Sequence, residues 1–161
     1  MTFPPLVLEN GFPVRLPSNG ALLPNQPSCR VWRATNQSIL ASVETNVSFS
    51  NAIFESVSDW WDSSQPDRIT FPYSGIYLIG VSIRVQGGTG TAAVAYLKVD
   101  NTYVGSERLE NGGSLQDFSL TSLVSVLAGQ KAYLSALQAG ANRNIMSIDQ
   151  MSPILWATKV S

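Results

Sequence analysis

The chain has 161 residues, ten of them basic and eleven acidic, with no histidine and one cysteine. The length suits one domain with a core of its own, and the sparse, balanced charge offers no basic face for nucleic acid. Lack of histidine removes the commonest general base and metal ligand, and no run of eighteen apolar residues marks a membrane-inserting helix.

Proline dominates the start. Pro4, Pro5, Pro13, Pro17, Pro24 and Pro27 account for six of the nine prolines. Each fixes φ and removes a backbone donor, so residues 1–28 are expected to form an extended arm ahead of a domain at 29–161. Its apolar grips are Phe3, Leu6, Leu8, Phe12, Leu16 and Leu22. The opening MTFPPLVLENG has no basic stretch before its short, proline-broken apolar run, so no secretory leader is expected. Cys29 has no partner for an internal disulfide and no histidine to act as its base; it reads as a small, half-buried apolar residue.

From Cys29 onward the pattern is strand and turn. CRVWRA alternates, TNVSFSNAIFES carries β-branched and aromatic residues, and GIYLIGVSIRV is the longest strand candidate. TAAVAYLKV ends at Asp100-Asn101, a turn pair that lets TYVGSERL fold back as a hairpin. LQDFSLTSLVSVL, a turn at Ala128-Gly129, KAYLSALQ and a last strand PILWATKV complete the chain. Leu and Ala in SLTSLVSVLAGQKAYLSALQAG favour helix, but the period-two alternation and Gly129 favour strands. Both faces of the Leu120–Leu127 stretch hold apolar residues, as in a strand covered by the core on one side and a partner on the other. Eight to ten short strands without helices predict an all-β, antiparallel jelly-roll sandwich.

The order of motifs carries a resemblance. Phe54-Glu55-Ser56-Val57, then Asp62, then Ile69-Thr70-Phe71-Pro72-Tyr73-Ser74-Gly75-Ile76-Tyr77 resembles the signature of the tumour-necrosis-factor and complement-head superfamily. Glycine at position 75 would let the chain turn sharply from one strand into the next, after which Tyr77 enters the core. Ser125-Val126-Leu127-Ala128-Gly129-Gln130 resembles the family's two strands joined at a leucine–x–glycine turn, with Gln130 where the family usually has an acid. Trp156-Ala157 departs from the family's aromatic–glycine pair. The resemblance covers about residues 29–160 and implies a ten-strand jelly roll and a homotrimer around a threefold axis. On that reading Tyr77, Ile79, Val81 and Ile83 fill the sandwich, while Leu78, Gly80, Ser82 and Arg84, with Trp156, face neighbouring subunits. The alternative is a plain solvent face with Leu78 exposed. The arm segment Glu9–Leu22 resembles the proline-bearing N-terminal or connector segments of tailed-bacteriophage structural proteins.

Trp60 and Trp61 stand in SDWWDSSQPD, a loop by composition. They are a stacking platform for a host-surface glycan, or one or both cap an open end of the sandwich. Asp59 and Asp62 flank them; paired carboxylates can cleave glycosides, but loop aspartates are more often solvated turn residues. The glycine run at residues 86–91 lacks the lysine ending of a phosphate loop. No catalytic residue, metal or cofactor is expected. The combined expectation is a virion structural protein assembled in the host cytoplasm: a trimeric capsid decoration or cementing protein whose arm grips the major capsid or tail protein. The alternatives are the receptor-binding head of a phage tail and a secreted trimeric ligand of the complement-head type.

Overall fold

A computed structural model describes residues 26–57, 59–86, 92–110 and 115–160, together with the backbone of two short strands in the arm. Those two strands, β1 (Leu8–Glu9) and β2 (Phe12–Pro13), pair antiparallel with each other. The side chains of Phe3, Leu6, Leu8, Phe12, Leu16 and Leu22 lie outside the described residues, as does the glycine run at 87–91.

The domain is β throughout, and the described residues hold no helix. Its strands are β3 (Ser28–Trp32), β4 (Gln37–Ile39), β5 (Thr45–Asn46), β6 (Asn51–Glu55), β7 (Ile69–Thr70), β8 (Gly75–Gln86) and β9 (Ala92–Val99). They continue with β10 (Thr102–Glu110), β11 (Leu115–Val126), β12 (Lys131–Gln138), β13 (Arg143–Met146) and β14 (Ile154–Lys159). The larger sheet follows the order β4-β13-β8-β14-β3-β6, with β11 paired along the other edge of β8. The smaller has the order β10-β9-β12-β5, with β7 also on β12. All the pairings between these strands are antiparallel.

Alternation decides the core. Along β8, Tyr77, Ile79, Val81, Ile83 and Val85 are buried. Across the sandwich, Ala93, Ala95, Leu97 and Val99 of β9 and Ala132, Leu134 and Ala136 of β12 meet them. Small residues on the second sheet face large ones on the first, which lets the two layers interdigitate. Gly75 has φ of 154°, a conformation side-chain-bearing residues seldom adopt, and β8 begins there. Two residues on, Tyr77 is buried and its hydroxyl donates to the Tyr73 carbonyl at 2.9 Å.

The hairpin at Asp100-Asn101 forms as expected, with Thr102 opposite Val99. Asp100 sits at φ 49° and its carboxylate accepts from Lys131 N and Gln130 Nε2, tying the turn to β12. The Ala128-Gly129 turn forms too, with Gly129 at φ 85°.

Two expectations need correction. TNVSFSNAIFES is not one strand: β5 pairs with β12 in the smaller sheet and β6 with β3 in the larger. The chain crosses between sheets at residues 47–50, where Val47 and Phe49 stay buried; past the crossing the alternation breaks, with Asn51 exposed and a register shift in the β3–β6 pairing. The short strands β4 and β13 are not among those the pattern predicts. They pair with each other, and β13 also pairs with the end of β8.

Candidate functional site

The outward face of the larger sheet collects the residues expected at a subunit interface. Register places Trp156 of β14 beside Gly80 of β8 and Arg30 of β3, with Phe54 of β6 beyond Arg30 and Thr121 of β11 beyond Gly80. The neighbouring rows run Thr158–Leu78–Leu123 and Ile154–Ser82–Ser119. Leu78, Gly80, Ser82, Arg84 and Trp156 therefore share one face. Four of its apolar members, Phe54, Ile76, Leu78 and Leu123, are exposed in the single chain, while Trp156 is half-buried and Ile154 buried. Arg84 marks a polar end, where its guanidinium forms a two-pronged pair with Asp117 (Nε–Oδ1 2.5 Å, Nη2–Oδ2 2.7 Å). Those bonds raise the Arg84 pKa and hold Asp117 below the usual carboxylate range.

Gly80 is required by this face. A Cβ there would lie 2.2 Å from Trp156 Cζ2 and 2.3 Å from Cε2. The indole lies directly against the strand backbone, and no side chain fits beneath it. A hollow of about 330 Å³ opens beside the ring, lined by Arg30, Phe54, Ser82, Ile154, Trp156 and Thr158.

The tryptophan pair divides. Trp60 is 1% exposed and packs edge-on against Phe71 and Tyr77, with ring centroids 6.0 and 5.8 Å away. It belongs to the core, so it offers no face to a ligand. Burying an indole among two rings stabilises the fold more than holding it in water would. Trp61 is only half-buried. Its backbone N–H donates to Glu55 Oε1 at 2.8 Å, and its ring nitrogen points at the Pro66 carbonyl, 3.5 Å away. It lines a hollow of about 570 Å³ between β6 and β7, together with Glu55, Asp59, Asp62 and Arg68. Asp62 accepts from the amide and hydroxyl of Ser64, which holds its carboxyl below the ordinary value. Asp59 lies at φ 74°, a turn conformation that aspartate tolerates.

One polar constellation has no counterpart in the sequence reading. Glu44 accepts from Lys98 Nζ at 2.5 Å, Ser135 Oγ at 2.6 Å and Tyr103 Oη at 2.7 Å. Burial pushes the Glu44 carboxyl up, but these three donors outweigh it and leave the pKa lowered. Lys98 Nζ also lies 5.8 Å from the Tyr103 ring and 5.9 Å from that of Tyr133. The cluster fastens the segment before β5 to β9, β10 and β12. Its members are up to 91 positions apart, so no local pattern announces it.

Cys29 is buried, and desolvation, then the charge of Glu55, pushes its thiol pKa far up. Such a thiol is a packing residue, not a nucleophile. Among the described residues no group of three or more potential ligands is placed to hold a metal ion.

Neither a family model nor a curated protein sequence matches the chain. Solved structures do. Murine APRIL superposes with a TM-score of 0.64 at 13% identity, covering 84% of this chain and all of its own. The globular domain of zebrafish complement 1qA gives 0.60 at 16%, over 84% of this chain and 98% of that one. Eiger TNF from S. frugiperda gives 0.59 at 9%, over 86% and 94%. The fold is the jelly roll of tumour-necrosis-factor and complement heads. The jelly roll predicted from the Gly75-Ile76-Tyr77 motif and its flanking strands is thus the one the chain adopts. At these identities the likeness speaks for architecture alone.

Proposed function

We propose that the protein is a trimeric virion structural protein, a capsid decoration or cementing protein held to its particle by the N-terminal arm. The observation that supports this most is the outward face of the larger sheet. It is continuous over five strands, carries exposed Leu78, Leu123, Ile76 and Phe54, and has a glycine beneath Trp156. Exposed apolar side chains clustered at Ile76, Leu78 and Leu123, with Phe54 further across the same face, ask for a partner, and three copies closing around an axis cover each such face with the same contact.

The arm reading rests on the proline-rich composition and on where the arm meets the domain. The Pro27 carbonyl accepts from Lys159 N at 2.8 Å, so the arm leaves the domain where β3 begins and β14 ends, in the interior of that same sheet. A segment with apolar grips and few backbone donors gains order by lying on a neighbour. Deleting residues 1–25 keeps Pro27 and its bond to Lys159. The shortened protein should stay folded and trimeric, yet fail to co-sediment with undecorated particles. Normal binding by the deletion protein would make the jelly roll itself the docking surface and refute the arm's role. The second reading, a secreted trimeric ligand, is favoured by the fold it shares with murine APRIL and complement 1qA. It predicts that the purified protein binds a host-cell surface receptor and no viral particle.

A further inference from the structure

We infer that the hollow beside Trp61 is a binding site for a neutral saccharide, a role that stands independently of the particle reading. At about 570 Å³ the hollow has the size of a small-ligand site. One aromatic residue lies on its wall, and that residue is pinned. Glu55 holds the Trp61 backbone amide, and the ring nitrogen is turned to the Pro66 carbonyl. The surrounding groups are ordered as well. Asp62 is set by both of its bonds to Ser64. Arg68 is held by Asp67, Nε to Oδ1 at 2.7 Å, with its guanidinium over the Tyr133 ring at 5.4 Å. Glu55, Trp61, Asp62 and Arg68 are thus already placed and lose little freedom on binding.

The chemistry of the wall selects the ligand. A sugar presents a C–H face that packs on an aromatic ring, and hydroxyls that both donate and accept. The hollow supplies Trp61 for the first, carboxylate acceptors in Glu55 and Asp59, and donors in Arg68 and Gln65 for the second. The wall carries three carboxylates, Glu55, Asp59 and Asp62, against the single guanidinium of Arg68. An anionic sugar would meet uncompensated like charge, which selects against sialic or uronic acids. An organic cation would gain from the carboxylates and the indole but has no use for the donors of Arg68 and Gln65, so choline is the competitor against which the neutral sugar is tested. Trp60, one position earlier, cannot share in this because it is sealed in the core.

The test is saturation-transfer NMR on the full-length protein with methyl glycosides of neutral hexoses and N-acetylhexosamines, with sialyllactose and choline chloride alongside. A single open aromatic wall should give a dissociation constant on the order of 1 mM. Transfer is expected to the ring C–H protons of a neutral glycoside, and binding should weaken by about tenfold or more in Trp61→Leu. That variant keeps apolar bulk while losing the aromatic face. Asp59→Asn, which tolerates the same backbone, should weaken binding without altering the fold. The inference is overturned if no neutral glycoside binds the wild-type protein at about 10 mM. It is equally overturned if binding survives Trp61→Leu in a protein with an unchanged circular dichroism spectrum, or if choline or sialyllactose binds in preference. If Trp61→Leu does not fold, retained affinity in Asp59→Asn overturns it in the same way.

Discussion

If the proposed trimer forms, replacing Leu123 with aspartate should dissociate it and leave the subunit intact. Leu123 lies mid-strand on β11, opposite Leu78, and its side chain points away from the core. In the single chain it is 65% exposed. Full burial of a leucine is worth about 1.5–3 kcal/mol, so covering this exposed share contributes about 1–2 kcal/mol per chain. Three copies together contribute about 3–6 kcal/mol, or two to four powers of ten in the association constant. An aspartate there forfeits this gain and adds the cost of desolvating a carboxylate. Stability of the isolated domain should barely move, since a solvent-facing change away from special contacts typically shifts it by no more than about 0.5 kcal/mol. Size-exclusion chromatography with light scattering at micromolar concentration reads the outcome. Chains of 17.4 kDa give a trimer of about 52 kDa. The wild type should elute at the larger mass and Leu123→Asp at the smaller, with matching circular dichroism spectra. A monomeric wild type, or a variant that stays trimeric at the same concentration, would refute the assignment of this face.

Gly80→Ala should lower stability by about 1–3 kcal/mol through overpacking against the Trp156 ring. Calorimetry should show a melting temperature several degrees lower, and Trp156→Ala in the same chain should recover part of the loss, because the two changes share one contact. The Glu44 cluster predicts acid sensitivity. The folded pKa of Glu44 is depressed, so its stabilising contribution is complete above the unfolded value of about 4.3 and is lost as pH falls through the folded one. Urea midpoints taken at neutral pH and near pH 3 should therefore differ more for the wild type than for Glu44→Gln, and equal differences would remove Glu44 from the account.

Local chemistry in the sequence determined where the chain turns and which residues share a face. Asp100-Asn101 and Ala128-Gly129 are turn pairs whatever surrounds them, and the two-residue period of β8 separates Tyr77, Ile79 and Val81 from Leu78, Gly80 and Ser82 without reference to any other strand. Gly75 is legible for the same reason, since its unusual φ is a property of one residue and its neighbours. Which face is covered, and by what, depends on parts of the chain far away. Val47 and Phe49 keep a two-residue period up to the start of β6, so only the partners of each half, β12 for β5 and β3 for β6, reveal that the chain changes sheets there. Trp60 and Trp61 are identical in type and adjacent in sequence. Strand geometry sends neighbouring side chains to opposite sides, but in a loop only packing decides, and here Phe71 and Tyr77 take the first ring. Gly80 reads as a small residue in a strand until Trp156, 76 positions later, is laid across it. The Glu44 cluster likewise joins side chains from four separate segments. Periodicity is a short-range property of the chain, whereas burial and electrostatic pairing are set by contacts that only the folded sandwich creates.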